Sequence, residues 1–207
     1  MANFDRIVEQ TFSFEGGFQN YTSDNANYSC GQLAGTNNGI SAIALQQYLG
    51  YCVTESDVRA VTKAKAKEIY RKQFWTPING DKVENQSVAE LMFAINIGNP
   101  SKCTELVGKS LNKLGFNLTV KKPFSDEVIK AINKSSKRFH AILWEEKRLF
   151  LESLRYSKPL FINGWLSKHN KLVYNDNNNN NIKYIGIGIA AVAAVTVALI
   201  LNDTIEI

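Results

Sequence analysis

Phe4, Ile7, Val8, Thr11 and Phe12 recur three and four residues apart, the spacing that lines one face of an α-helix. Glu15 continues that stripe, so its carboxylate falls on the core-facing side at the carboxyl end of the predicted helix. Gly16 and Gly17 follow and supply a left-handed stop. Helical periods return at 58–74, with Thr62 as a cap, and at 88–97, 101–114, 125–133, 136–156 and 159–173. Residues 18–40 differ: they are rich in Asn, Gly, Ser and Tyr, and read as irregular or weakly hairpin-like. The pattern predicts an all-α or mainly α domain over 1–174, with a polar early loop or small hairpin.

The pattern changes at 175–183, where the polyasparagine run reads as a flexible linker. Beyond it, Ile185–Leu201 carries no charge, and with its neighbours it gives a 184–202 span at the lower limit for a transmembrane helix. A buried core helix is the other reading, but core helices rarely lack a polar face. Lys168, Lys171 and Lys183 precede the span and the acidic tail NDTIEI follows it. The positive-inside tendency then predicts a single-pass protein with a C-terminal anchor and residues 1–174 in the cytoplasm. MANFDRIVEQTF shows no secretory signal.

Charge narrows the partners. Lys and Arg number 24 against 19 Asp and Glu, a formal charge of +5 and a pI of about 9.0, which suits an anionic partner. The basic residues are dispersed and do not interleave with aromatic ones, so nucleic acid is not expected. Cys30, Cys52 and Cys103 are odd in number and widely spaced, which predicts buried free thiols in a reducing compartment. His140 and His169 begin no metal motif and no phosphate loop is present, so neither metal nor cofactor is expected. Trp75 and Trp165 are expected to pack in the core rather than stack on sugar.

The chemistry concentrates at Phe12–Phe18, FSFEGGF. A carboxylate beside aromatic rings, at the negative end of a helix dipole, is disfavoured in its charged form on both counts. A carboxylic acid kept neutral is what protonation of a glycosidic oxygen requires.

FEGGF near the start, GTNNGI at 35–40, DVRAVTKAKAKEIYRKQFW at 57–75 and Asn96 with Gly98 stand in order. Together with GDKVENQSVAEL at 80–91 and FINGWLSKHNKL at 161–172 they resemble glycoside hydrolase family 108, over about residues 1–174. These are N-acetylmuramidases of phage endolysins and bacterial secretion or release systems. The resemblance implies a lysozyme-like helical fold that cleaves the β-1,4 bond between N-acetylmuramic acid and N-acetylglucosamine in peptidoglycan glycan strands. It implies Glu15 as the catalytic acid, Asp24 as an acidic loop residue and Thr36 as the group that positions substrate or water. Asn37, Asn38 and Asn96 would bind the glycan, and the 115–174 part would correspond to the family's wall-binding region. A phage or prophage endolysin tethered to the bacterial inner membrane is the expected setting. The other reading is a catalytically degenerate glycan-binding or holin-like membrane protein. One departure stands out: YTSDNANYSCGQL at 21–33 lengthens the interval between Glu15 and Thr36.

Overall fold

The computed structural model describes residues 1–14 and 17–176. Glu15, the greater part of the expected linker and the whole 184–202 segment lie outside the described residues. The chain divides into two compact units, one of Asn3–Pro77 and one of Met1–Ala2 with the chain from Ile78 onward.

In the first unit, α1 (Phe4–Phe14) buries Phe4, Ile7 and Val8, the predicted stripe. Phe4 packs 5.5 Å from the Trp75 ring and Phe12 packs 6.0 Å from Tyr70. Two small antiparallel hairpins follow: β1 (Tyr28–Ser29) with β2 (Gln32–Leu33), and β3 (Thr36–Asn37) with β4 (Ile40–Ser41). Each has a two-residue turn with both φ angles positive, Cys30-Gly31 and Asn38-Gly39, the mirror-image turn whose twist matches paired strands. Short helices α2 (Ala42–Leu49), α3 (Glu55–Arg59) and α4 (Lys63–Ile69) complete the unit. The expected single helix over 58–74 is interrupted because Thr62 is extended, with its side chain capping Lys65 N–H. A π-helical turn at Tyr70–Trp75 then continues α4, and it turns Tyr70, Phe74 and Trp75 into the core.

The second unit is helical: α5 (Gln86–Gly98), α6 (Pro100–Lys113), α7 (Asp126–Lys134), α8 (Ser136–Ser153) and α9 (Pro159–His169). α5, α6 and α8 pack on one another, with α7 and α9 against α8. α5 is buried without a break from Gln86 to Phe93, so its run VAELMFAINI is the centre of that core. Side chains cap three of these helices: Asn85 for α5, Asn99 for α6 and Ser125 for α7, each worth about 1 kcal/mol. His140 and His169 are both packed, with the His169 ring stacked 4.5 Å from Trp144.

Three expectations need correction. Cys30 and Cys52 are not buried thiols but a disulfide with Cα atoms 5.7 Å apart, and Cys103 alone is free and buried. The β1–β2 turn carries Cys30 to the segment after α2, where Ser29 Oγ donates to Gln46 and accepts from Val53 N–H. An odd cysteine count conceals such a pair, and a disulfide belongs to an oxidising compartment. The second correction concerns the membrane. Among the described residues no helix is long and apolar enough to cross one. The disulfide overturns the cytoplasmic placement of the catalytic domain, and no described helix supplies the single-pass C-terminal anchor in the bacterial inner membrane, whose 184–202 segment lies outside the described residues. Third, Trp165 is 37% exposed and stacks on Phe161 at 5.7 Å, whereas Trp75 is fully buried as expected.

Candidate active site

The residues that follow Glu15 are held against the GTNNGI loop. Gln19 and Thr36 exchange backbone hydrogen bonds, Gln19 N–H to Thr36 O at 2.9 Å and Thr36 N–H to Gln19 O at 2.8 Å. Gly35 makes this approach possible. It has φ of +93°, and a Cβ there would meet the Gln19 carbonyl at 2.6 Å and the Phe18 ring at 2.8 Å. Any larger residue would be strained in conformation and would also push the two segments apart. The Arg59 guanidinium lies 3.6 Å from the Phe18 ring centroid, a cation–π contact, and is itself paired with Glu55 at 2.7 Å. The phenylalanine that closes FEGGF therefore acts as an anchor.

Asn27, in the lengthened interval, organises the rest. It is fully buried. Its main-chain oxygen accepts from Ala34 and Gly35 N–H at 2.8 and 2.9 Å, and its N–H donates to Asp24 O at 3.0 Å. Thr36 Oγ1 lies 2.7 Å from Asn27 Oδ1. Asp24 and Thr36 thus both attach to Asn27, Asp24 through the main chain and Thr36 through its hydroxyl. One Asp24 carboxylate oxygen accepts from Ala26 N–H at 3.0 Å and caps the short 3-10 turn Asn25–Asn27; the other accepts nothing among the described residues.

Asn37 and Asn38 latch the loop to the α3–α4 connection. Asn37 Nδ2 donates to the carbonyls of Arg59 at 3.0 Å and Val61 at 3.2 Å, and Asn38 Nδ2 donates to Val61 O at 2.8 Å. Asn96 belongs to the second unit, where it is wholly buried and its Oδ1 accepts from the Lys122 ammonium, which also donates to Pro100 O. The structure therefore gathers Asp24, Thr36, Asn37 and Asn38 around one loop of the first unit. Asn27 and Gln19 escaped the sequence reading. Burial of an asparagine leaves no periodic trace, although its place between a turn and a strand was a usable sign.

Among the described residues no group of three His, Cys, Asp or Glu side chains could hold a metal ion. Residues 8–98 match the family model described as Glycosyl hydrolase 108, a stretch that includes Glu15, the whole loop and Asn96. A solved structure, that of Brucella abortus SagA, is similar in fold, with a TM-score of 0.68 at 23% identity. That similarity covers 82% of this chain and 90% of SagA. No curated protein matches the sequence. Over residues 8–98 the chain matches glycosyl hydrolase family 108, and its fold is like that of SagA.

Proposed function

We propose that this chain hydrolyses the β-1,4 bond between N-acetylmuramic acid and N-acetylglucosamine in peptidoglycan, with Glu15 protonating the leaving oxygen. The observation that carries this reading is the backbone pairing of Gln19 with Thr36. It anchors the segment that directly follows Glu15 to the loop bearing Thr36, Asn37 and Asn38. In this reading Thr36 holds the attacking water, and the open Asp24 oxygen faces the positive charge that develops on the sugar ring. Asn37 and Asn38 offer amide oxygens to sugar hydroxyl or acetamido groups. Asn96, buried beneath Lys122, acts through that lysine rather than on the glycan directly. Residues 115–174, where basic side chains outnumber acidic ones, would hold the anionic wall. The cellular role we assign is lysis of the endolysin type, in phage or prophage.

Reducing-end analysis of digested peptidoglycan tests the chemistry. Muramic acid ends should accumulate, and Glu15→Gln, which keeps the shape and removes the transferable proton, should slow release by about 100-fold or more. Glucosamine ends, or a folded Glu15→Gln protein with wild-type turnover, would sink the assignment. Export of the chain into a bacterial periplasm should lyse the host, whereas export of Glu15→Gln should not.

A further inference from the structure

The side-chain amide of Asn27 is oriented by main-chain groups that can act in only one sense. The Tyr21 N–H can only donate, and it reaches Gln19 Oε1 at 2.9 Å. The Tyr21 carbonyl can only accept, and Asn27 Nδ2 reaches it at 2.9 Å. These two anchors settle which end of each amide is oxygen. Gln19 Oε1 also accepts from Asn27 Nδ2 at 2.9 Å, and Gln19 Nε2 donates back to Asn27 Oδ1 at 3.1 Å. Asn27 Oδ1 is thereby an acceptor only, and Thr36 Oγ1 stands 2.7 Å from it. The hydrogen in that contact must be the threonine's own.

We propose that Asn27 is a positioning residue that draws the Thr36 hydroxyl proton inward, so that Thr36 Oγ1 meets water or glycan purely as a hydrogen-bond acceptor. The inference rests on the reading of Thr36 as a site residue. Its chemical content is a division of labour. A hydroxyl whose proton is committed cannot donate to the leaving oxygen, and it cannot stabilise an oxyanion. It can take a hydrogen from a water, which turns that water's lone pair toward the sugar, or from a sugar O–H or N–H. Gln19 takes part because its amide pins Asn27, and Gln19 is itself pinned by the same backbone that pairs with Thr36. Among the described residues no other donor or acceptor engages the Thr36 hydroxyl, so its outward lone pairs stay available.

Two measurements on the full chain test this. The first is the wild-type Thr36 hydroxyl proton by NMR. It should exchange slowly with water and cross-relax with the protons of the Asn27 amide, whereas exchange as fast as that of an exposed threonine overturns the proposal. The second is kinetic, with Thr36→Val, Asn27→Ala and Asn27→Asp on solubilised peptidoglycan strands. Asn27→Ala removes the acceptor, and kcat should fall about tenfold or more with KM changed less than about twofold. Asn27→Asp keeps an oxygen for Thr36 while losing the Nδ2 bonds, and it should recover most of that kcat. If Asn27 were merely structural, both variants would lose activity in step with their unfolding midpoints. A protected hydroxyl with an unimpaired Thr36→Val would remove Thr36 from the reaction and the proposal with it. An unprotected hydroxyl with a crippled Thr36→Val would leave Thr36 in the reaction and refute only the role of Asn27.

Discussion

α5 and the early loop at 18–41 are both central to their units, yet they are held by opposite means. α5 buries Val88, Leu91, Met92, Phe93 and Ile95 almost completely, and its stability is a matter of apolar area, about 25 cal/mol per Å². The early loop buries Asn27 and Ser29 instead, and its strands are two residues long. What fixes it is a closed set of hydrogen bonds, one disulfide and one glycine contact. Apolar packing is non-directional and tolerates exchange of similar shapes. A satisfied polar network fixes the direction of each atom, and loss of one partner leaves the others stranded at about 1–3 kcal/mol each. A helix that only supports can be built the first way. A loop in which a hydroxyl and two amides each keep one orientation is built the second way.

Experiment separates the two modes of support. The largest effect belongs to the apolar side: Phe93→Ala should cost about 3–5 kcal/mol, read as lost hydrogen-exchange protection in residues 78–176. Equal loss of protection in residues 3–77 would show that the two units do not open separately. Next is the disulfide, whose partners are 22 residues apart. Cys30→Ser with Cys52→Ser should lower the stability of the first unit by about 3 kcal/mol through loop entropy alone. Urea unfolding should report that loss, and an unchanged midpoint would mean that the hydrogen bonds hold the loop unaided.

Acid should act on the second unit. Burial pushes His140 down to about 3, with the His169 charge adding to it. Burial likewise pushes His169 to about 4, with Lys147 and Arg148 lowering it further and the Trp144 carbonyl and Glu145 opposing. Both rings are thus neutral when folded, while the unfolded chain takes up protons near pH 6.5. The stabilisation is full above that value and drains as pH falls toward 4 and then 3. Between pH 7 and pH 5.5 the second unit should lose roughly 2–3 kcal/mol, and replacing both histidines with Phe should flatten that slope. The smallest effect is Thr62→Ala, which removes the cap of α4 outside the loop. It should cost about 1 kcal/mol with turnover unaltered.

The helices were legible because their signals are local. Ser125 before α7, Thr62 before α4 and Pro159 opening α9 all announce themselves within one turn of sequence. The break at Thr62 was half seen, as a cap without the interruption it causes. The π-helical turn at Tyr70–Trp75 left no mark, because an inserted residue there still leaves a helical-looking period. The loop's logic was hidden for a different reason. Asn27 meets Gln19 and Thr36 from eight and nine positions away, and Cys30 finds Cys52 only once α2 has folded back. Such pairings are decided by three-dimensional closure, which no local window contains. Thr36 and the two asparagines were picked out by resemblance, and Asn27 and Gln19, the polar partners that orient the Thr36 hydroxyl, were not.

The order of the cysteines along the chain has a consequence for biosynthesis. In a chain threaded N-terminus first into oxidising surroundings, Cys30 and Cys52 emerge together, before any part of α5 or α6. Cys103 follows much later and is covered completely by the second unit. The native pair is therefore the first pair that can form, and the third thiol arrives when no partner is left for it.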